Sequence, residues 1–238
     1  MERESLPMYD LRGPITRVIE VLSIAVAASL LALHVLRFAA DPASFSWRVL
    51  VAVVAGAILA DFISGVVHWS ADTWGSESLP VLGRRFLHPF RIHHVNPRDF
   101  LRRDFIDCNG DVAMITVPVL LGAFLLPTSG ELGQLATGFV VAFAATILPT
   151  NQVHQWAHRP EPPRLVAWLQ RGGVILSRTE HERHHASPYV VNYCIATGWC
   201  NRTLEAVGFF PALERVIRRV TGAEPRRDER ESADDSAE

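Results

Sequence analysis

Four apolar runs divide the chain, and the polar residues are concentrated between and after them. The runs cover residues 18–36, 47–68, 112–126 and 132–148. At a rise of 1.5 Å per residue, about 20 helical residues cross a hydrocarbon core of roughly 30 Å, and the first two runs have this length. The pattern therefore predicts an all-α integral membrane protein with about four transmembrane helices.

The two shorter runs are separated only by PTSGE, and they predict a tight helical hairpin in which Pro118 and Pro149 are tolerated as kinks. The first run has polar residues upstream and no small-residue cleavage site, so a removable signal peptide is not expected, and a buried core helix is its alternative. The second run carries Asp61 and His68 in its second half. That half should face protein or water.

Four spans place both termini on one side of the membrane, together with the long polar segments 69–111 and 149–238. Of the 23 arginines, 21 lie on this side, and only Arg37 and Arg48 lie near the other. The positive-inside rule therefore predicts that the polar segments and both termini are cytoplasmic. The absence of Lys and the abundance of Ala and Val suggest a GC-rich bacterial genome, so the inner membrane is the expected location.

The sequence predicts one domain with short flanking segments. Residues 1–17 form a cytosolic N-terminal segment, and the membrane domain covers residues 18–222. Within it, residues 164–176 and 204–220 mix apolar residues with arginines and are expected to lie in the membrane interface. Residues 223–238 have many charges and no apolar period, which predicts a disordered acidic tail.

Charge and cysteine usage narrow the function. The net charge is −2 and the basic residues form no dense stripe, so nucleic acid is not an expected partner. The three cysteines have no C-x-x-C spacing and predict no disulfide framework, which fits a reducing environment. Ten histidines are unusual for this length, and nine of them lie between His68 and His185.

The histidines form four short clusters on the polar side: His68 with Asp72, His93 with His94, His154 with His158, and His181 with His184 and His185. Side chains at positions i and i+4 share a helix face and could clamp a metal. Adjacent histidines diverge by about 100° on a helix and suit two neighbouring ions. A single catalytic zinc uses about three protein ligands, whereas eight histidines fit two five- or six-coordinate ions, and imidazole suits iron as well as zinc.

The segment HERHH, residues 181–185, also fits H-E-x-x-H, the signature of zinc metallopeptidases in which Glu182 would activate a bound water. On a helix, however, Glu182 is expected to point away from the face shared by His181, His184 and His185. A metal-binding membrane protein without turnover is a third hypothesis. His34 and His88 are interpreted as solvated or hydrogen-bonded residues.

Five longer blocks carry a family resemblance. They are GVVHWSADTWGSESLPVLG, FRIHHVNP, RRDFIDCNGD, NQVHQWAH and HERHHASPYVVNYCIATGWCN, and the similarity around them covers about residues 50–222. These blocks resemble the plasmanylethanolamine desaturase family, the membrane lipid desaturase or Kua domain. On them, the chain is identified as a bacterial member of this family.

The resemblance implies a four-span, non-haem di-iron oxygenase that forms the vinyl-ether double bond of plasmalogens in an O-alkyl phospholipid within the membrane. The reaction would use O2 and electrons from an external ferredoxin- or cytochrome-type donor, since the sequence has no G-x-G-x-x-G nucleotide motif. Asp72 matches the aspartate of the family's HWxADTWG block, as an auxiliary ligand or a structural residue. The family's metal ligands correspond to His68, His93, His94, His154, His158, His181, His184 and His185.

Two departures keep an alternative open. Glu180 stands where animal members carry a histidine. In this respect the chain also resembles the plant plastid branch, which desaturates a palmitoyl chain on phosphatidylglycerol. The segments DTWG, FRIHHVNP and NGD instead favour the plasmalogen branch. His88 stands where animal members have another residue, so it is not counted as a ligand. Arg91, Arg98 or Arg183 could engage a lipid phosphate, with surface solvation as the alternative.

Overall fold

The computed structural model describes residues 13–41, 45–127 and 130–226, and these residues form helices and connecting segments without any strand. A π-helical turn, Gly83–Leu87, precedes α3, and a 3₁₀ turn, Ala123–Leu125, extends α5. The helices in chain order are α1 (Pro14–Ala39), α2 (Trp47–Thr73), α3 (His88–Val95), α4 (Pro97–Phe100), α5 (Phe105–Gly122), α6 (Gly130–Ile147), α7 (Thr150–Ala157), α8 (Arg164–Arg171), α9 (Arg178–His184), α10 (Asn201–Ala206) and α11 (Phe209–Thr221).

The four predicted spans are confirmed as α1, α2, α5 with its 3₁₀ turn, and α6, which are long and apolar enough to cross a membrane. Their outer faces expose large apolar side chains such as Leu22, Leu50 and Ile115. Such a belt is stable in lipid and costly in water, so the chain is a multi-pass membrane protein.

Two spans extend further toward the histidine-bearing side than the apolar runs indicated. Helix α2 continues to Thr73 rather than ending at residue 68, because its polar last turns are buried against protein. Helix α5 begins at Phe105 rather than at residue 112, because Asp104 Oδ1 accepts hydrogen bonds from the backbone N–H groups of Ile106 and Asp107, each at 2.9 Å. Both extensions place functional side chains at the membrane surface.

The predicted hairpin of α5 and α6 is wrong in its packing, because α6 packs mainly on α2 and α5 mainly on α1. Glycines permit these close approaches: a Cβ on Gly56 would lie 2.2 Å from the backbone oxygen of Phe139, and one on Gly110 would lie 2.5 Å from the Glu20 side chain. Pro118 lies inside α5 as expected. Pro149 instead stands at the N-cap of α7 and separates two helices.

Asp61 in α2 binds the backbone of residues 197–200, which follow the last histidines in the chain. This fully buried carboxylate accepts hydrogen bonds from the backbone N–H groups of Thr197 at 2.7 Å, Gly198 at 2.9 Å and Cys200 at 2.9 Å. Charge-assisted bonds of this kind satisfy a carboxylate that would otherwise be expensive to bury. The second half of α2 therefore faces protein, one of the two environments that its polar residues predicted.

The expected interfacial segments form amphipathic helices. Helix α8 exposes Leu165 and Trp168, and α11 exposes Val216 and Val220 beside its arginines. The predicted single segment 204–220 is divided into α10 and α11 by Gly208, whose φ of 61° suits glycine.

The ends of the chain and one loop are only partly covered. Within the expected tail, the Arg226 backbone N–H donates to Thr73 O at 2.9 Å, so residues 223–226 return to the end of α2. Residues 1–12 of the N-terminal segment, residues 227–238 of the tail, and residues 128–129 of the PTSGE loop lie outside the described residues.

Candidate metal centre

All eight predicted histidines meet where α2, α3, α7 and α9 end on the same side of the protein. They form two adjacent groups, within each of which the candidate ligand atoms lie no more than 4.8 Å apart. Site 1 contains His93, His154, His158, His181 and His185, and site 2 contains His68, Asp72, His94 and His184. The adjacent pair His93 and His94 is divided between the two sites, as the divergence of neighbouring side chains on a helix predicts.

The nitrogen atoms of site 1 are too crowded for hydrogen bonding alone. His181 Nε2 lies 2.9 Å from His154 Nε2, 2.8 Å from His158 Nε2 and 3.1 Å from His185 Nε2. A neutral imidazole nitrogen offers either one proton or one lone pair, so it cannot satisfy three such neighbours. A shared cation would accept lone pairs from all of them.

The spacing in site 1 also indicates the coordination number. Around an ion about 2.1 Å from each nitrogen, ligands at right angles lie roughly 3.0 Å apart, and tetrahedral ligands roughly 3.4 Å apart. Four Nε2 separations in the site lie between 2.8 and 3.3 Å. The site therefore fits a five- or six-coordinate ion better than a tetrahedral zinc.

Site 2 contains a buried carboxylate. Asp72 Oδ2 lies 3.3 Å from the Nε2 atoms of both His68 and His94, and 3.6 Å from His184 Nε2. The carboxylate is only 8% exposed, and neither of its oxygens has a hydrogen-bond partner among the described residues. A buried carboxylate without donors is costly unless a cation neutralises it, so three imidazoles and Asp72 suit a divalent ion.

Backbone carbonyls fix the orientation of two site 2 histidines. His68 Nδ1 lies 3.1 Å from Tyr193 O, and His184 Nδ1 lies 2.7 Å from Val191 O. Because a carbonyl only accepts, each Nδ1 carries the proton and each Nε2 presents its lone pair to the site.

Sequence reasoning missed the role of this 191–193 segment, although it stands within the last family block. Asn192 holds the segment to α9, since its Nδ2 donates to Glu180 O at 2.9 Å and to Glu180 Oε2 at 3.1 Å. Its φ of 56° is a conformation that Asn tolerates well.

Burial lowers the pKa of six site histidines and favours their neutral forms. Loss of solvent, reinforced by repulsion from neighbouring imidazoles, lowers the pKa of His93, His154, His158, His181, His184 and His185. The pKa of His158 falls to about 3 and that of His185 to about 2. Their lone pairs are thus available to a metal at neutral pH.

The remaining histidines lie outside both sites, as expected. His34 Nε2 lies 2.9 Å from Leu120 O, and His88 Nδ1 lies 2.6 Å from Glu77 Oε2. Each has a hydrogen-bonding partner of its own and takes no part in the two groups.

Glu182 lies on the opposite face of α9 from the histidines. Its carboxylate is 58% exposed and accepts a hydrogen bond of 2.6 Å from Arg178 Nε. A peptidase would require this carboxylate beside metal-bound water. The geometry of HERHH therefore does not supply the general base of the H-E-x-x-H reading.

Two of the three arginines considered as phosphate ligands have partners within the protein. Arg91 is buried and donates to Ala71 O at 3.1 Å and Trp74 O at 2.7 Å, so it closes the end of α2 that carries Asp72. Arg183 pairs with Glu205 at 3.3 Å. The expectation was wrong for Arg91, whose guanidinium is buried against carbonyl groups. Arg183 is half exposed, as its surface alternative predicted. The side chain of Arg98 lies outside the described part of the structure.

An amphipathic groove between α2 and α5 leads to the histidines. It has a cavity volume of about 200 Å³ and is apolar along Ile63, Val67 and Ile115. A smaller pocket beside it is lined by His93 and His154, and Pro89, Phe90, Arg103 and Asn151 line both spaces. The groove therefore adjoins the pocket that contains two histidines of site 1.

Comparison with known proteins agrees with this architecture. The lipid desaturase domain matches residues 57–228. Plasmanylethanolamine desaturase of Myxococcus xanthus is 42% identical over 217 residues, covering 91% of this chain and 77% of that protein. Plasmanylethanolamine desaturase 1 of Mus musculus is 45% identical over 187 residues, covering 76% of this chain and 69% of the relative.

A plant protein is also similar. Fatty acid desaturase 4, chloroplastic, of Arabidopsis thaliana is 41% identical over 177 residues, covering 72% of this chain and 52% of that protein. No solved structure matches the chain. Since one domain family accounts for most of the sequence, including every residue of the two histidine sites, the chain belongs to the lipid desaturase family.

Proposed function

We propose that this protein is an O2-dependent, di-iron membrane desaturase that forms the vinyl-ether double bond of plasmalogens from O-alkyl phospholipids. The observation that carries the proposal is the juxtaposition of two ligand groups, one of five histidines and one of three histidines with Asp72, beside an amphipathic groove. The two relatives named plasmanylethanolamine desaturase support the choice of substrate.

Site 1 and site 2 would each hold one iron ion, with Asp72 as the carboxylate ligand of site 2. When bound, the two iron ions supply the activation of O2 that protein side chains cannot provide. In the overall reaction, two hydrogen atoms leave adjacent methylenes of the lipid. Together with two electrons and two protons from an external donor, they convert O2 to two molecules of water.

The protein's own residues bind and orient the alkyl chain. Ile63, Val67 and Ile115 provide an apolar path that a hydrocarbon fills in preference to water. Phe90 and Phe100 line the pocket next to His93 and His154, and their rings exclude water from the reacting carbons. A ferredoxin- or cytochrome-type protein would deliver electrons from outside the chain.

The sidedness of the centre follows from charge. With 21 of 23 arginines on the histidine-bearing side, the positive-inside rule supports a bacterial inner-membrane protein whose metal centre and termini face the cytoplasm. A cytosolic donor would then reach the centre directly.

Desaturation of an acyl chain is the second candidate. Glu180 and the similarity to the chloroplastic fatty acid desaturase 4 favour it, although less strongly than the plasmanylethanolamine desaturases favour ether lipids. The exposed position of Glu182 and the two ligand groups weigh against a zinc peptidase. The groove weighs against a metal-binding protein without turnover.

Lipid analysis of cells that express the protein separates these functions. With an O-alkyl phospholipid supply, acid-labile vinyl-ether lipids should appear, and without that supply they should be absent. New acyl unsaturation in their place would favour the second candidate. No new double bond of either kind, in a preparation that contains iron, would refute a desaturase function.

A further inference from the structure

The end of the groove nearest the metal centre is lined by charges of both signs. Arg85, Arg103, Asp107 and Asp111 all face the same space as the apolar residues of the groove. They include two ion pairs. Arg85 donates to Asp111 through Nε at 3.0 Å and also lies 3.3 Å from the buried Glu20, whereas Arg103 Nε lies 3.8 Å from Asp107 Oδ2.

The polarity of the groove changes along one face of α5. Asp107, Asp111 and Ile115 follow one another at intervals of four residues, so they line the groove at successive turns. At 1.5 Å per residue, about 12 Å separates the first carboxylate from the isoleucine. The face therefore runs from charged at the membrane surface to apolar within the span, in the same order as the parts of a phospholipid.

The chemistry of the proposed reaction requires the lipid head group to bind close to the metals. The carbons that form a vinyl ether are attached to the ether oxygen, so about six single bonds connect the first of them to the phosphorus. At about 1.5 Å per bond, the two atoms are no more than roughly 9 Å apart. A phosphate site must therefore adjoin the histidine pocket, and Arg103 lines both that pocket and the groove.

We propose that Arg103 binds the phosphate of the lipid and Asp107 binds the cationic amine of its head group, so that the enzyme selects zwitterionic over anionic phospholipids. This inference rests on the proposed function. The two arginines and two aspartates of the lining are balanced in charge, and the buried Glu20 behind Arg85 adds a further negative charge. A zwitterion offers an anion to Arg103 and a cation to Asp107, whereas a head group with only a phosphate charge offers no cation to Asp107 and is repelled by its carboxylate.

The test compares two O-alkyl phospholipids that share one alkyl chain and differ in the head group, ethanolamine or glycerol. Each is supplied in the same membranes to the full-length, iron-loaded protein with an electron donor, and vinyl-ether product is measured. Asp107→Asn should lower the ratio of kcat/KM for the ethanolamine lipid to that for the glycerol lipid by roughly tenfold. The reason is that only the ethanolamine lipid loses a charge-assisted hydrogen bond.

Asp104→Asn is the matched control. It removes a carboxylate from the start of the same helix, and Asn preserves the N-cap. Asp104 binds Arg17 at 2.6 Å and does not line the groove, so this variant should keep the wild-type ratio. Arg103→Gln provides an independent test, because it should raise KM for both lipids without changing their ratio.

Three results would overturn the inference: an unchanged ratio in Asp107→Asn, an equal shift in Asp104→Asn, or an unchanged KM in Arg103→Gln. Iron content and membrane level are measured for every variant to confirm that it is folded. Failure of the wild-type protein to form a vinyl ether from either lipid would instead refute the proposed function, and the inference with it. That outcome is distinguishable because it appears before any variant is compared.

Discussion

Two substitutions within HERHH separate a di-iron desaturase from a zinc peptidase. In the desaturase, His184 is a ligand of site 2 and Glu182 is a surface residue. In a peptidase these roles are reversed, since Glu182 is the general base and His184 occupies a free position of H-E-x-x-H. We therefore expect His184→Ala to eliminate the product and Glu182→Gln to retain most of the activity.

The structure gives the size of each effect. Glu182 forms one exposed i,i+4 ion pair with Arg178, and such pairs contribute about 0.5 kcal/mol or less. His184 is fully buried, and its Nε2 lies 3.3 Å from His94 Nε2 and 3.6 Å from Asp72 Oδ2. It is one of four candidate ligands that the described residues supply to site 2. Its loss should lower iron content from about two ions per chain to about one, since site 1 keeps all five of its histidines.

The assay measures iron per chain, membrane level and vinyl-ether product for both variants and the wild-type protein. Equal membrane levels show that loss of product is not loss of folding. An inactive Glu182→Gln that retains its metal, together with an active His184→Ala, would refute the di-iron assignment and restore the peptidase hypothesis.

Four further predictions follow from the same contacts. Asp72→Asn should lower the iron affinity of site 2 at least about tenfold, because this buried carboxylate is the only anionic candidate ligand of the site among the described residues, and an unchanged affinity would contradict this role. The purified wild-type protein should contain about two iron ions, and a chelator should abolish desaturation; one tightly bound zinc with chelator-sensitive proteolysis would contradict it. Gly56→Ala should lower the free energy of unfolding, measured by thermal unfolding, by about 1–3 kcal/mol, because its Cβ would meet the backbone of Phe139. Gly122→Ala should change this free energy little, because open space surrounds that position. Cysteine labelling should find the PTSGE loop periplasmic and the C-terminal tail cytoplasmic, and the reverse labelling would remove the argument for a cytosolic donor.

The sequence alone was sufficient for features that depend on local geometry. The four apolar runs predicted the four spans, because the rise of a helix is fixed and the thickness of a bilayer varies little. The spacing of His154 with His158, and of His181 with His185, predicted shared faces. The divergence of His93 from His94 predicted that they would serve neighbouring ions, and the structure places them in separate groups.

Other features depend on contacts between distant parts of the chain, and the tertiary structure decided them. The pairing of α1 with α5 and of α2 with α6 arises from glycines whose partners no local pattern identifies. Asp72 enters site 2 because α2 continues past its apolar run and meets α3 and α9.

The same reason explains which polar residues were misread or missed. Arg91 is buried and donates to carbonyl groups, but the sequence does not distinguish such an arginine from an exposed one that could bind phosphate. The carbonyls of Val191 and Tyr193, which orient His184 and His68, belong to the backbone and carry no side-chain signature. Sequence periodicity determines which side chains share a face of one helix, whereas only packing determines what that face meets.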